Sequence, residues 1–318
     1  MNCELREGQI GTCGVRINKG GTLYTYTYGS LVSAAADPVE KKPLYHFYPG
    51  HRTFTIATPG CNLHCLGCQN WEISQVPKGE ILENDFFEET YVSPEKIVQK
   101  AFELKCQSIS YSYSDPTVFI EYVIDIAKLA QKRGLKNIVV TAGYINPEPL
   151  EELDKYIDAY SIDLKFFSEE SYRKYSKGKL APVLDTIKFL FSKGKWIELT
   201  TLLVPQYIDE EQLESIARWI KKELADWIPW HISRFFPHYK AKDLPPTPMK
   251  TMLKAYEKGK SEGLKYVYLG NVSTGEYENT FCPSCGEKVI ERRGFTVSKL
   301  NLKGRYCMNC GYSVEGVF

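Results

Sequence analysis

The sequence predicts an α/β fold: a partial (β/α)6 TIM-like barrel over residues 51–275, with an N-terminal extension (1–50) and a small C-terminal module (276–318) carrying four cysteines in a zinc-ribbon-like arrangement. Three observations predict it. Strand-like and helical patterns alternate for roughly 215 residues, as parallel βαβ units do. The first strand runs into a cysteine loop, where a doubly wound dinucleotide fold would show Gly-x-Gly-x-x-Gly. Four more cysteines gather where the alternation stops.

Residues 1–50 are rich in Gly and Tyr, with short β-like runs such as 22–28, and no separate core is expected there. Residues 52–58 alternate apolar and polar side chains, as a half-buried strand does. A helix is expected over 93–105: Ser93 suits the N-cap and Pro94 the first helical position, while Ile97, Val98, Ala101 and Phe102 share a face. Strand-like runs follow at 108–112, 137–141, 160–164, 197–204, 231–235 and 266–269. Helical patterns separate them near 117–132, 147–156, 182–193, 209–224 and 248–262. Six or seven such units suit a partial barrel better than a doubly wound sheet. The acidic stretch 80–89 reads as a solvated loop.

A hydrophobic content of 43% and a charged content of 25% place the chain among folded globular proteins. Forty basic against 39 acidic residues leave a net charge of +1, so no chain-wide field draws in nucleic acid or an anionic membrane. The first residues lack the apolar core of a secretory signal, and no stretch approaches the roughly 18 apolar residues of a membrane span. A cytoplasmic protein is expected. Seven of its ten cysteines fall in two tight clusters, which in a reducing compartment read as metal ligands.

The first cluster is Cys61-x3-Cys65-x2-Cys68, three thiols on one loop after a strand. A structural cubane [4Fe–4S] cluster uses four cysteines. Three protein ligands leave one iron open, and the amino and carboxylate groups of S-adenosylmethionine (SAM) suit that corner. One electron passed to the sulfonium would release an adenosyl radical able to take hydrogen from an unactivated carbon; the cofactor carries that chemistry and the protein orients it. Two competing readings stand beside this. A zinc site could use the three cysteines with His64, although structural zinc prefers paired cysteines and complete tetrahedra. A structural cluster could take a fourth ligand from Cys106 or an N-terminal cysteine.

The run Thr58-Pro-Gly-Cys-Asn-Leu-His-Cys-Leu-Gly-Cys-Gln-Asn-Trp-Glu-Ile-Ser74 resembles the radical SAM enzymes related to pyruvate formate-lyase activating enzyme. Within them the chain is most similar to the AmmeMemoRadiSam-system radical SAM enzymes. Further matches are Thr12-Cys-Gly-Val-Arg16, Asp37-Pro-Val-Glu-Lys-Lys-Pro43, Asp163-Leu-Lys165 and Trp230-His-Ile-Ser-Arg-Phe235. Two departures stand out. Gly67 replaces the aromatic residue that normally packs on the SAM adenine, so that contact must come from elsewhere. Only Cys3 and Cys13 remain of a fuller N-terminal cysteine set, and no metal site is expected there.

In β/α barrels the active site lies at the C-terminal ends of the strands. The segment Ser112, Tyr113, Ser114, Asp115 resembles the family's Gly-Gly-Glu segment, which implies that Asp115 accepts from the SAM amino group. Thr141 and Gly143 end the next strand. Asp163 and Lys165 share a face by period-2 alternation, an acid–base pair suited to a zwitterion; a plain rim salt bridge is the competing reading. Thr200, His231, Arg234 and Asn271 complete the expected ring, with a structural histidine as the alternative for His231. Cys106 is expected to be a buried apolar side chain.

At the C-terminal end, Cys282-Pro-Ser-Cys285-Gly and Cys307-Met-Asn-Cys310-Gly form two knuckles. Together they can close a tetrahedron of thiolates, with zinc favoured over iron. So small a module hardly folds without its metal. It could dock a partner or cover the barrel's open side; Glu287 and Glu291 balance Arg292, Arg293 and Arg305, which speaks against nucleic acid. The expected activity is reductive SAM cleavage followed by hydrogen abstraction, served by an external one-electron donor. The resemblance implies hydrogen abstraction from a protein glycine, with a small-molecule or other protein target equally open, and an association with AmmeMemo proteins. The alternatives are an RNA-modifying radical SAM enzyme and a non-enzymatic metal-binding interaction protein.

Overall fold

A computed structural model describes residues 3–78, 91–272 and 275–318. The acidic stretch 80–89 lies outside the described residues. The main body is one eight-stranded sheet. It comprises β3 (Ser33–Pro38), β4 (Arg52–Ala57), β5 (Ser108–Tyr111), β6 (Lys136–Thr141), β7 (Ala159–Asp163), β8 (Trp196–Leu203), β9 (Trp230–Arg234) and β10 (Val267–Gly270). Strands β4 to β10 are parallel neighbours in chain order, and β3 pairs antiparallel with β4. An order without reversal rules out the doubly wound sheet. Among the described residues no pairing joins β10 to β3.

The expected strands lie within a residue of those observed because each is a short run of strand-forming residues set between helical patterns, and most of its side chains are buried, as in parallel strands. The helices follow their caps. Ser93 Oγ accepts from Lys96 N at 3.4 Å and Pro94 opens the helix Pro94–Glu103, which buries Ile97, Val98 and Ala101. Phe102, expected on that face, is exposed instead, with the Arg133 guanidinium 5.9 Å from its ring centre. The helices Ile120–Lys132, Pro147–Asp154, Ala181–Ser192, Glu210–Trp219 and Met249–Ser261 fill the remaining crossovers.

Residues 1–50 are woven into the main body. A hairpin, β1 (Arg16–Lys19) with β2 (Thr22–Thr25), leads into β3. Residues 39–48 then run as a strap beneath the sheet. Val39, Leu44 and Phe47 pack against Ile138 and Ala159, which lie at the starts of β6 and β7.

The C-terminal residues form an antiparallel sheet, β11 (Thr280–Phe281), β12 (Lys288–Arg293) and β13 (Thr296–Leu300), and a hairpin, β14 (Leu302–Lys303) with β15 (Tyr306–Cys307). Their core includes Val289, Ile290, Leu302 and Val314, and it is shared with Tyr45 of the strap and with Tyr266 and Tyr268 of the main body. Arg292, expected to be a surface charge, is wholly buried beside Glu40.

Candidate functional site

The cysteine loop leaves the end of β4 and is clamped from both sides. Gly60 N donates to Ile73 O at 2.8 Å, His64 N to Ser176 O at 3.0 Å, Leu66 N to Tyr175 O at 3.0 Å, and Lys240 N to Leu66 O at 2.9 Å. The Asn62 amide reaches Tyr144 O at 2.6 Å. These backbone bonds fix where the three sulfurs stand before any side-chain ligand is considered. Burial pushes the Cys61 thiol well up, with the Asp115 charge adding to it, and burial also raises Cys65. Three thiolates can share this loop only against a compensating cation.

Beside the loop is a cavity of about 320 Å³ at the strand ends, lined by Cys61, Cys65, Cys68, Ser112, Tyr113, Asp115, Thr141, Asp163, Lys165, Thr200 and Asn271. Its volume falls at the lower end of the ~300–1,000 Å³ usual for small-molecule sites. Lys165 Nζ donates to Asp163 Oδ2 at 2.7 Å; burial works against the ammonium, but Asp163 and then Cys65 hold it firmly protonated. The hydroxyls of Thr200 and Ser114 are buried in the lining without a hydrogen-bond partner. Donors left over in a polar cavity are suited to a ligand with several acceptors.

Asp115 is arranged differently from the sequence expectation. Its carboxylate accepts from Thr117 N at 3.0 Å, from the Thr141 hydroxyl at 3.0 Å and from Ala142 N at 2.9 Å. These bonds tie the end of β5 to the end of β6, so the group is largely engaged within the protein.

Three expected residues lie outside the cavity. His231 is buried below it, with Nε2 2.7 Å from Glu198 Oε2 and its ring stacked on Tyr268. Arg234 turns aside, donating from Nε to Thr247 O at 2.7 Å. Gly143 has φ +66°, and a Cβ there would meet Ile162 at 3.0 Å and Val183 at 3.4 Å. Ser233, Lys41, Asn70 and Tyr175 line the cavity and were not anticipated. Asn70 stood inside the Cys-Gln-Asn-Trp run; Tyr175 lies on the helical turn Tyr172–Ser176, which no periodicity marks.

A second constellation lies in the C-terminal module. Cys282, Cys285, Cys307 and Cys310 bring their sulfurs within 4.8 Å of one another, with pairs at 3.6 and 3.8 Å. Four thiolates ~2.3 Å from one ion stand that far apart. Gly286 and Gly311 follow the knuckles with φ of +73° and +76°, a left-handed turn that a side chain would resist. Among the described residues no other set of three or more such ligand atoms comes this close. His64, the fourth ligand in the zinc alternative, is turned to Gln75, with Nδ1 2.9 Å from its Oε1. Cys106 is buried, and Cys13 is buried while Cys3 is exposed.

Similarities to known proteins agree with this geometry. An uncharacterised protein of Methanocaldococcus jannaschii is 43% identical over 99% of this chain and 92% of its own length. The pyruvate formate-lyase-activating enzyme of Clostridium pasteurianum is 26% identical over 58% of this chain and 76% of its own. The crystal structure of Streptococcus suis SuiB bound to S-adenosylmethionine shares the fold with a TM-score of 0.53 at 14% identity, covering 77% of this chain and 56% of that one. No helix among the described residues is long and apolar enough to cross a membrane. The family model of the Radical SAM superfamily matches residues 55–220, and a chain that carries this match together with a cysteine loop facing a strand-end cavity belongs to that enzyme superfamily.

Proposed function

We propose that this chain cleaves SAM reductively and takes a hydrogen atom from a substrate in the manner of glycyl-radical activating enzymes, within the AmmeMemoRadiSam group. The observation that carries this reading is the placement of Cys61, Cys65 and Cys68 on the wall of the strand-end cavity, together with Lys165 and the unpartnered hydroxyls of Thr200 and Ser114. A [4Fe–4S] cluster with SAM, when bound, supplies the sulfonium cleavage and the 5′-deoxyadenosyl radical. The chain's own residues hold and orient. Cys61, Cys65 and Cys68 ligate the cluster. Lys165, kept charged beside Asp163, faces the carboxylate of SAM, and Thr200, Ser114, Ser112, Tyr113 and Asn271 offer hydrogen bonds around it.

The sheet curves as a partial barrel over 51–275, with 1–50 and 276–318 as its appendages, and the four-cysteine module holds zinc. An external donor supplies the electron. The substrate is a protein, and AmmeMemo proteins are the natural associates to test. Two clustered thiol sets fit a reducing cytoplasm.

The test is anaerobic reconstitution with iron and sulfide, then reduction with dithionite in the presence of SAM. Formation of 5′-deoxyadenosine and methionine, abolished in Cys61→Ser, Cys65→Ser or Cys68→Ser, is the expected outcome. Zinc in the loop, or a reduced cluster that leaves SAM intact, would sink the reading.

A further inference from the structure

Arg292 of β12 is an arginine with no outlet to solvent. Its Nη2 donates to Tyr45 O at 2.6 Å, and its Nη1 to Glu278 O at 3.0 Å and to the Thr280 hydroxyl at 2.9 Å. The guanidinium lies 4.1 Å from the centre of the Tyr45 ring. Its Nε faces Glu40 Oε1 at 3.8 Å, and that carboxylate is equally buried and accepts from Gly50 N at 2.8 Å. Neither Arg292 Nε nor Glu40 Oε2 has a hydrogen-bond partner. Such a pair is a poor way to glue a module on, because well-packed apolar residues of similar volume would be as stabilising or more so. What a buried charge pair adds is a fixed position.

The position it fixes is that of the strap. One and two residues beyond Glu40, Lys41 Nζ donates to Asp37 Oδ1 at 2.9 Å and Lys42 Nζ to Asp37 Oδ2 at 2.8 Å. Lys42 also donates to the Tyr113 hydroxyl at 3.1 Å, and that hydroxyl donates to Asp37 Oδ2 at 2.7 Å. Tyr113 has φ +69°, a conformation that a non-glycine residue holds only when its surroundings impose it. Lys41 and Tyr113 both line the cavity. A second tie runs parallel: Glu198 accepts from Tyr45 N at 2.9 Å and His46 N at 2.8 Å, and it shares a face of β8 with Thr200 in the cavity lining.

We propose that Arg292 is a positioning residue for the SAM site: the four-cysteine module inserts it against Glu40 and Tyr45, and the strap so fixed holds Tyr113 and Lys41 at the cavity wall. The affinity for SAM therefore depends on a side chain of the module that never touches the ligand. This rests on the SAM-binding reading above. A module that served only as a cover would leave SAM affinity alone.

The full-length protein, with its cluster reconstituted anaerobically, tests this. SAM affinity is read by equilibrium dialysis, and by the change SAM produces in the EPR spectrum of the reduced cluster. Arg292→Met is expected to raise the dissociation constant for SAM about ten-fold, within the usual range for coupled sites. Its iron content and its SAM-free spectrum should match wild type, and Arg292→Lys should recover part of the affinity. If Arg292→Met fails to fold, Glu40→Gln carries the test, since it keeps an oxygen for Gly50 N while removing the charge, and the same weakening is expected. Wild-type affinity in the folded, cluster-loaded variants overturns the proposal alone. A wild-type protein that does not bind SAM overturns both this and the functional reading.

Discussion

At Gly67 the packing around the cysteine loop can be read from a single missing atom. A Cβ there would stand 2.3 Å from the Tyr175 hydroxyl oxygen and 2.9 Å from Phe235 Cε2, both on buried rings. Gly67→Ala is therefore expected to displace the loop at a cost of about 1–3 kcal/mol. The measurement is the thermal midpoint together with the iron retained after reconstitution, and adding Tyr175→Phe, which removes the nearer atom, should recover part of both. Gly67 stood out in the sequence as a departure, but its cause did not, because Tyr175 is more than 100 residues away and belongs to no periodic pattern. His231 misled for a different reason. Alternation along a strand tells which face a side chain takes and not how deep it sits. His231 lies on the cavity side of β9, below the rim, while Ser233 two residues on reaches the lining.

Between elements, the bonds at Asp115 matter more than any one strand. One carboxylate receives three donors and joins the turn after β5 to the end of β6, so the two strand ends that line the cavity move together. Asp115→Ala leaves the part-buried N–H of Thr117 and the buried N–H of Ala142 without an acceptor. It is expected to cost about 2–4 kcal/mol. Urea unfolding should show the loss and equilibrium dialysis a weaker grip on SAM, with Asp115→Asn falling between because it keeps one oxygen. The parallel strands were legible because short runs rich in branched and aromatic residues alternate with helical patterns along the chain. Strand β3 was not. Its Ser-Ala-Ala-Ala-Asp-Pro sequence lacks the branched and aromatic residues that mark strands, and as an edge strand it forms by pairing its backbone with β4. The cysteine loop and the four-cysteine module were both legible, since metal ligands must cluster in sequence when they sit on one turn. The strap beside the cavity was visible only as a matching run from Asp37 to Pro43, with nothing in it to say what it touches.

The stability of the whole molecule runs through His46, wholly buried where strap, sheet and module meet. Its Nδ1 lies 2.7 Å from Glu315 O, so that nitrogen carries the proton, and Nε2 accepts from the Tyr268 hydroxyl at 2.6 Å. Burial lowers its pKa from 6.5 to about 4, with the Glu198 charge offsetting only part of that. Between those values the unfolded chain binds a proton that the folded chain refuses. Stability is then full above pH ~6.5 and declines as the pH falls toward 4, by about 3 kcal/mol from this group. Urea midpoints at neutral pH and near pH 4.5 measure this, and His46→Gln should flatten the difference. The same meeting point has a consequence for the order in which the protein is made. His46 waits for Glu315, 269 residues further along, and Tyr45 for Arg292, 247 residues further along. On the ribosome the cysteine loop emerges early, yet the strap that supports the cavity wall lacks its partners until Arg292 and Glu315 have been synthesised. Iron and sulfide delivered before then would meet half a pocket, so cluster insertion belongs after the four-cysteine module has been made.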